Sequence, residues 1–159
     1  MLNLQHRIDL LLQLGKYIQD NDTEWQAVKQ RASAFNGWFT PQFIEVSSQN
    51  IAALFLDRNT LLQIAQKYQI PETQSSPATI GIVMAGNIPL VGFHDWLCVF
   101  FFFFIALVKL SSKDNILLKH LLNKLTEWDR EASKHSGFSE MLKGCDAYIA
   151  TGSDNSARY

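Results

Sequence analysis

Cysteine is scarce in this chain of 159 residues, which contains only Cys98 and Cys145. Two cysteines provide neither a disulfide framework nor a four-ligand zinc site. Cys98 lies in an apolar run and Cys145 in a Gly-Cys-Asp turn, so we interpret both as structural residues. The N-terminus also lacks the apolar stretch of a signal peptide, since Arg7 and Asp9 interrupt it. We therefore expect a reducing, cytoplasmic setting.

An excess of charge of one sign is also missing. The chain has 14 Lys plus Arg against 15 Asp plus Glu, a net charge of -1, and both signs are spread evenly along it. Proteins that bind nucleic acid or anionic lipid without sequence preference need a basic face. The composition therefore argues against nucleic acid as a partner. The histidines are dispersed and predict no metal site.

No apolar run has the length of a membrane-spanning helix. The longest, Trp96 to Val108, has thirteen residues, five of them consecutive phenylalanines. A spanning helix needs about 20, and Asp95 and Lys109 flank this run. We predict a buried helix that continues into a buried strand, and a membrane-anchored protein is the less favoured alternative.

What the sequence does contain is a change of pattern near residue 77. Before it, apolar residues recur every three or four positions and predict four helices, at about residues 4–18, 23–35, 41–54 and 59–68. The pairs Asp22-Thr23 and Thr40-Pro41 are typical helix starts. The loop Pro71 to Pro77 follows.

After Pro77, β-rich segments alternate with helical ones. We predict strands at residues 79–85, 106–110 and 146–151, and an amphipathic helix from about Asp114 to Ala132. This alternation predicts βαβ units with a parallel sheet. The fold class is therefore α/β, with a helical N-terminal region at residues 1–76 and an α/β region at 77–159.

Three polar segments follow the predicted strands. They are Gly86-Asn87-Ile88-Pro89-Leu90, in which Pro89 is expected to start the next helix, Lys109 to Asp114, and Thr151 to Ser156. Ligands of open α/β sheets bind beyond the carboxyl ends of the strands. Each segment alone also fits an ordinary strand-end turn, and the chain has no G-x-G-x-x-G phosphate-binding loop.

Together and in this order, the segments resemble a known family. The runs TIGIVMAGNIPLVGFHDWLCV, LVKLSSKD and GCDAYIATGSDNSARY are similar to the acyl-CoA reductase family related to the luciferase-associated fatty-acid reductase. That family is a branch of the aldehyde dehydrogenase superfamily. The resemblance covers about residues 78–159, and it implies that this region is an incomplete dinucleotide-binding part of a Rossmann-like parallel sheet.

The resemblance implies a catalytic role for Asn87. In aldehyde dehydrogenases, the Asn of an Asn-Phe-Pro-Leu turn donates its amide to the oxyanion of the thiohemiacetal intermediate. Asn87 occupies that position in Asn-Ile-Pro-Leu. The loss of one such donor typically costs about 10²- to 10³-fold in rate.

The resemblance also implies cofactor-binding residues. Lys109 matches the strand-end lysine that hydrogen-bonds the adenosine ribose, and Gly152 and Ser153 match the Gly-Ser pair at the start of the helix that meets the pyrophosphate. Ser112 stands where NAD-preferring members often have Glu, and Lys113 adds a cation. A missing carboxylate favours a 2'-phosphate, so the expected cofactor is NADPH, with NADH as the alternative.

The chain departs from the family pattern in two ways. The family's reactive cysteine lies beyond the position of Tyr159, so neither Cys98 nor Cys145 matches it. The family also tends to have a Gly-containing turn where this chain has Phe102-Phe103-Phe104. The adjacent His94 and Asp95 are a further candidate acid-base pair, but neighbours in a helix point about 100° apart, so we favour a helix-start role.

The leading hypothesis is the N-terminal portion of a cytoplasmic acyl-CoA reductase, inactive by itself. By the resemblance, the whole enzyme reduces an acyl-CoA or acyl-protein thioester to an aldehyde with NADPH through a cysteine acyl-enzyme, and homo-oligomerisation is an option for the full-length protein. The alternative hypothesis is a non-catalytic nucleotide-binding or protein-interaction module.

Overall fold

The computed structural model describes residues 2–152, and the chain divides into two units, one ending at Thr73 and one beginning at Gln74. The first unit consists of helices and the second contains the sheet. Within the described residues the architecture is α/β, with six α-helices and one four-stranded parallel sheet.

Four amphipathic helices build the first unit, as the spacing of apolar residues predicts. Each begins after a polar residue whose side chain accepts a hydrogen bond from a backbone N–H of the first turn. Their buried faces supply the core of this unit, including the fully buried Trp25. The helices are α1 Leu4–Asp20, α2 Thr23–Phe35, α3 Pro41–Leu54 and α4 Arg58–Lys67.

The second unit alternates strands and helices. Its elements are β1 Thr79–Val83, α5 Phe93–Phe101, β2 Ile105–Lys109, α6 Leu117–Trp128, a 3-10 helix Arg130–Lys134, β3 Ser136–Phe138 and β4 Ala147–Ala150. The strand order is β3-β2-β1-β4, with all neighbouring pairs parallel. The predicted βαβ arrangement is therefore confirmed.

Strand β3 and the bounds of α6 differ from prediction. The strand β3 was not predicted, because Ser-Gly-Phe is too short and too poor in β-branched residues to show a strand pattern. It forms by pairing with β2. The helix predicted from Asp114 begins at Leu117 and ends at Trp128, and the 3-10 helix follows.

The two faces of the sheet have different surroundings. Alternate residues Ile80, Ile82, Ala106 and Val108 are buried on one face, and α5 packs against β1 and β2. Side chains of a strand alternate between faces, so Gly81, Val83, Leu107 and Lys109 point to the other one. That second face carries the candidate site.

The phenylalanine run ends α5 and leads into β2, as predicted. Trp96 is fully buried; its ring stacks on Phe100 at 5.0 Å between centroids, and its Nε1–H donates to Ser136 Oγ at 2.6 Å. Phe103, at the turn, is buried and has a φ of 67°, a conformation that favours glycine. None of the helices within residues 2–152 combines the length and apolar character that crossing a membrane requires.

Candidate functional site

The carboxyl ends of three strands lie side by side. In the register of the sheet, Val83 of β1 is paired with Lys109 of β2 on one side and with Ala150 of β4 on the other. After β1 the chain continues to β2 on one side, while β4 is added on the opposite side. This point of reversal is where ligands of open α/β sheets bind.

A groove of about 670 Å³ opens at these strand ends. We call it the strand-end groove, and it is lined by Val83, Lys109, Tyr148, Ala150 and the connection 140–143 between β3 and β4. Small-molecule sites commonly measure about 300–1,000 Å³. Two cavities in the helical unit measure about 280 and 300 Å³, and neither contains a predicted site residue.

The ring of Tyr148 is seated over β1. A Cβ on Gly81 would lie 2.7 Å from Tyr148 Cδ1 and 3.1 Å from Cys145 Sγ, so only glycine leaves room for these two side chains. The backbone N–H of Cys145 donates to the Tyr148 hydroxyl at 3.3 Å. Tyr148 is nevertheless 54% exposed, so part of its ring is open to the groove.

The charged lining of the groove is mainly cationic. It contains the ammonium groups of Lys109 and Lys143 and the carboxylate of Glu140. Lys109 is half-buried at the end of β2, whereas Lys143 and Glu140 are exposed on the connection. This balance favours an anionic ligand.

The turn that carries Asn87 packs against the loop after β2. A Cβ on Gly86 would lie 2.2 Å from Ser111 Oγ and 3.1 Å from Lys113 Cβ, so glycine is required for this close approach. Asn87 and Ser112 are both exposed. The two predicted segments therefore meet, although neither Asn87 nor Ser112 lines the strand-end groove.

A buried carboxylate joins these segments. Asp114 is only 7% exposed, and its Oδ2 accepts the backbone N–H of Leu90 at 2.7 Å. The backbone of Leu117, at the start of α6, donates a second hydrogen bond. Burial raises the pKa of Asp114 to about 6, although both hydrogen bonds act in the opposite direction. Its Oδ1 is buried without a hydrogen-bond partner.

The predicted helix start at Pro89 is wrong. Residues 88–92 form turns, and α5 begins at Phe93. Leu90 has a φ of 61°, which interrupts a helical path. Its N–H is bound to the Asp114 carboxylate, so a contact distant in sequence determines the shape of this turn.

The third segment is described only in part. Thr151 follows β4, and its hydroxyl donates to Asp95 Oδ2 of α5 at 2.8 Å. Gly152 is exposed. Ser153, and the helix expected to begin there, lie outside the described residues. His94 is exposed, with its Nδ1 3.9 Å from Asp95 Oδ1, so the pair has the loose geometry expected of helix neighbours.

The Cys98 thiol lies 3.9 Å from His94 Nε2, but its other surroundings do not favour the thiolate. Burial and then the nearby Asp95 raise the pKa of the Cys98 thiol. A raised pKa lowers the thiolate fraction and hence the reactivity at neutral pH. Cys98 is half-buried. Cys145 packs at Gly81.

Sequence reasoning missed three residues of this region, namely Tyr148, Lys143 and Asp114 in its bridging role. A signal for Tyr148 exists, because a glycine inside a strand, here Gly81, often marks close approach by another group. No comparable signal identifies Lys143. Across residues 2–152, no three His, Cys, Asp or Glu side chains gather into a metal site.

Comparisons with protein-family models, curated proteins and solved structures found no match to this chain. The family resemblance therefore remains a hypothesis that rests on the three quoted motifs.

Proposed function

We propose that this chain is the cofactor-binding portion of an acyl-thioester reductase of the aldehyde dehydrogenase type, in which it binds NADPH. The observation that carries the proposal is the meeting of three motif-bearing strand ends at the point where the sheet reverses direction. That is the binding position of open α/β sheets, and the strand-end groove opens there. The proposal includes the Rossmann-like character of the sheet.

The groove fits the adenosine half of a dinucleotide in size and charge. It has about 670 Å³ of space, an aromatic ring and two lysines against one carboxylate. Lys109 lies in the lining, at the strand end where the resemblance expects a ribose contact. When bound, the dinucleotide supplies a hydride.

In this proposal Asn87 stabilises negative charge on the substrate oxygen. Its exposed amide lies on a turn fixed by the Gly86 contact and by the Asp114–Leu90 hydrogen bond. A neutral donor held in place where charge develops lowers the barrier of acyl transfer. The acyl group is carried by a cysteine other than Cys98, whose thiol has a raised pKa, and other than Cys145, which the family resemblance does not match to the nucleophile.

Titration of the 159-residue chain with NADPH tests the cofactor role. We expect saturable binding that Lys109→Ala weakens about tenfold, because the variant loses a charged hydrogen-bond donor. Lys119→Ala is the matched control, since Lys119 is exposed on α6 and does not line the groove. Absence of binding to the unaltered chain contradicts the proposal.

A second test addresses catalysis. We expect no thioester-dependent oxidation of NADPH by the 159-residue chain, because neither Cys98 nor Cys145 matches the reactive cysteine of the family it resembles. A measured turnover, abolished by Cys98→Ser or Cys145→Ser, would overturn the assignment of the nucleophile to another cysteine.

A non-catalytic nucleotide-binding or interaction module is the second candidate. The raised pKa of the Cys98 thiol favours it, and so does the exposed edge strand β4. Asn87→Ala separates the two candidates when it is made in a polypeptide that also contains the reactive cysteine implied by the family resemblance. A reductase loses about 10²- to 10³-fold in rate, whereas a binding module keeps its NADPH affinity and shows no turnover.

A further inference from the structure

We infer that Tyr148 is the platform on which the adenine base stacks, and that Lys143, together with Lys109, receives the 2'-phosphate. The inference rests on the proposed cofactor role and assigns two residues to which the family resemblance gives no part. Both line the strand-end groove.

The position of Tyr148 is fixed on one side and open on the other. Its ring occupies the space that Gly81 leaves free, and its hydroxyl accepts the Cys145 N–H. Such contacts reduce the freedom of the ring before a ligand arrives. With 54% of its surface exposed, the residue presents an ordered aromatic surface to the groove, and bases stack on such surfaces.

The cation placed for the phosphate is Lys143. The sequence suggests Lys113, but Lys113 does not line the groove. Lys143 and Lys109 reach the same cavity from the connection and from β2. Glu140 also lines this cavity, and the net charge of these three side chains is positive. A planar base with a nearby phosphate matches an aromatic ring with two ammonium groups.

Calorimetric titration with NADPH and NADH tests both assignments. We expect Tyr148→Ala to weaken binding of both dinucleotides about tenfold or more, because both contain adenine. Tyr148→Phe retains the ring and keeps most of the affinity. Lys143→Ala weakens NADPH about fivefold and leaves NADH nearly unchanged, since only NADPH carries the 2'-phosphate.

Matched controls separate these effects from general damage. Tyr68 is 58% exposed in the helical unit and Lys119 is exposed on α6, so Tyr68→Ala and Lys119→Ala should leave both affinities unchanged. Tyr148→Leu keeps apolar bulk over Gly81 without an aromatic face. If thermal unfolding followed by circular dichroism shows that Tyr148→Ala does not fold, the affinity of Tyr148→Leu tests the stacking role instead.

The possible failures are distinguishable. If the unaltered chain binds neither dinucleotide, the proposed function and this inference fall together. If it binds but Tyr148→Leu and Tyr148→Ala retain full affinity, only the platform is overturned. An equal loss for NADPH and NADH in Lys143→Ala overturns the 2'-phosphate assignment.

Discussion

The two units of the chain begin their α-helices in different ways. In the helical unit Asn3, Asp22, Thr40 and Asp57 each accept a first-turn N–H with their own side chain, at 2.8–3.2 Å. In the α/β unit the residues before α5 and α6, Gly92 and Ile116, offer no such side chain. There Asp114 takes the N–H of Leu117 at the start of α6 and the N–H of Leu90 in the turn before α5.

Left-handed backbone conformations of residues other than glycine show the same contrast. In the helical unit they occur at the polar residues Asn21 and Gln69, after helix ends. In the α/β unit they occur at Leu90 and Phe103, both buried and apolar. Local polar signals therefore shape the first unit, whereas packing imposes the backbone in the second, at a cost of about 1–2 kcal/mol for each such residue.

The largest expected effect is at Trp96 in the α/β unit. Trp96→Ala should lower the free energy of unfolding by about 3–5 kcal/mol, because it leaves a cavity and removes the hydrogen bond to Ser136. Trp38, which is 87% exposed in the helical unit, is the matched control. Trp38→Ala should change the free energy of unfolding by less than about 0.5 kcal/mol. Urea denaturation measures both, and similar losses would refute the burial argument.

The next effect compares two equally buried phenylalanines. Phe101 and Phe103 are each 2% exposed, but only Phe103 has a positive φ. Phe103→Gly loses the packing of the ring but relieves the strain of the positive φ, so we expect a net loss of about 2 kcal/mol in the free energy of unfolding. Phe101→Gly loses the ring and adds the cost of glycine in a helix, for a total of about 4 kcal/mol or more. Equal losses would show that Phe103 is not strained.

A smaller effect comes from the pH dependence at Asp114. Its pKa is raised to about 6 in the folded chain from an ordinary value of 3.8, so the folded state binds the proton more tightly. Stability therefore rises as pH falls from 7 to 5, by about 1 kcal/mol, and Asp114→Asn should remove this rise. Urea denaturation at both pH values tests it.

Glu45 provides the contrasting case in the helical unit. The hydrogen bond from Lys29 lowers the pKa of Glu45, so its contribution is lost only as pH falls below about 4.5. The window between pH 7 and 5 therefore excludes Glu45. Histidines ordinarily titrate in this window as well, so the difference between the unaltered chain and Asp114→Asn reports on Asp114. If both show the same change in stability between pH 7 and 5, the assignment is contradicted.

The smallest effect is the loss of a local cap. Asp22→Ala removes the acceptor for the Trp25 N–H and should cost about 1 kcal/mol, with Asp22→Asn retaining most of the stability. Circular dichroism during thermal unfolding measures it. If Asp22→Asn loses as much stability as Asp22→Ala, the Asp22 carboxylate does not act as a helix cap.

The sequence was most informative where the determining interactions are local. The caps at Asp22 and Thr40 are visible as start signals, and the alternation after Pro77 predicted the parallel βαβ order. Pro89 was misread because its pattern is a common helix start, while the structure bends the chain at Leu90 through a bond to a residue 24 positions away. For the candidate site, the family resemblance predicted Asn87 and Lys109, of which Lys109 lines the groove, but it could not show which other lysine shares that cavity.

The sequence by itself determined the four capped helices, the parallel strands and the polar segments at their ends, because these depend on spacing and on residues within a few positions. The tertiary structure alone decided the pairing of β3 with β2, the left-handed turns at Leu90 and Phe103, and the groove beneath Tyr148. Those features arise from contacts between distant residues, such as Tyr148 over Gly81 and Asp114 on Leu90. Spacing along the chain carries no record of such contacts.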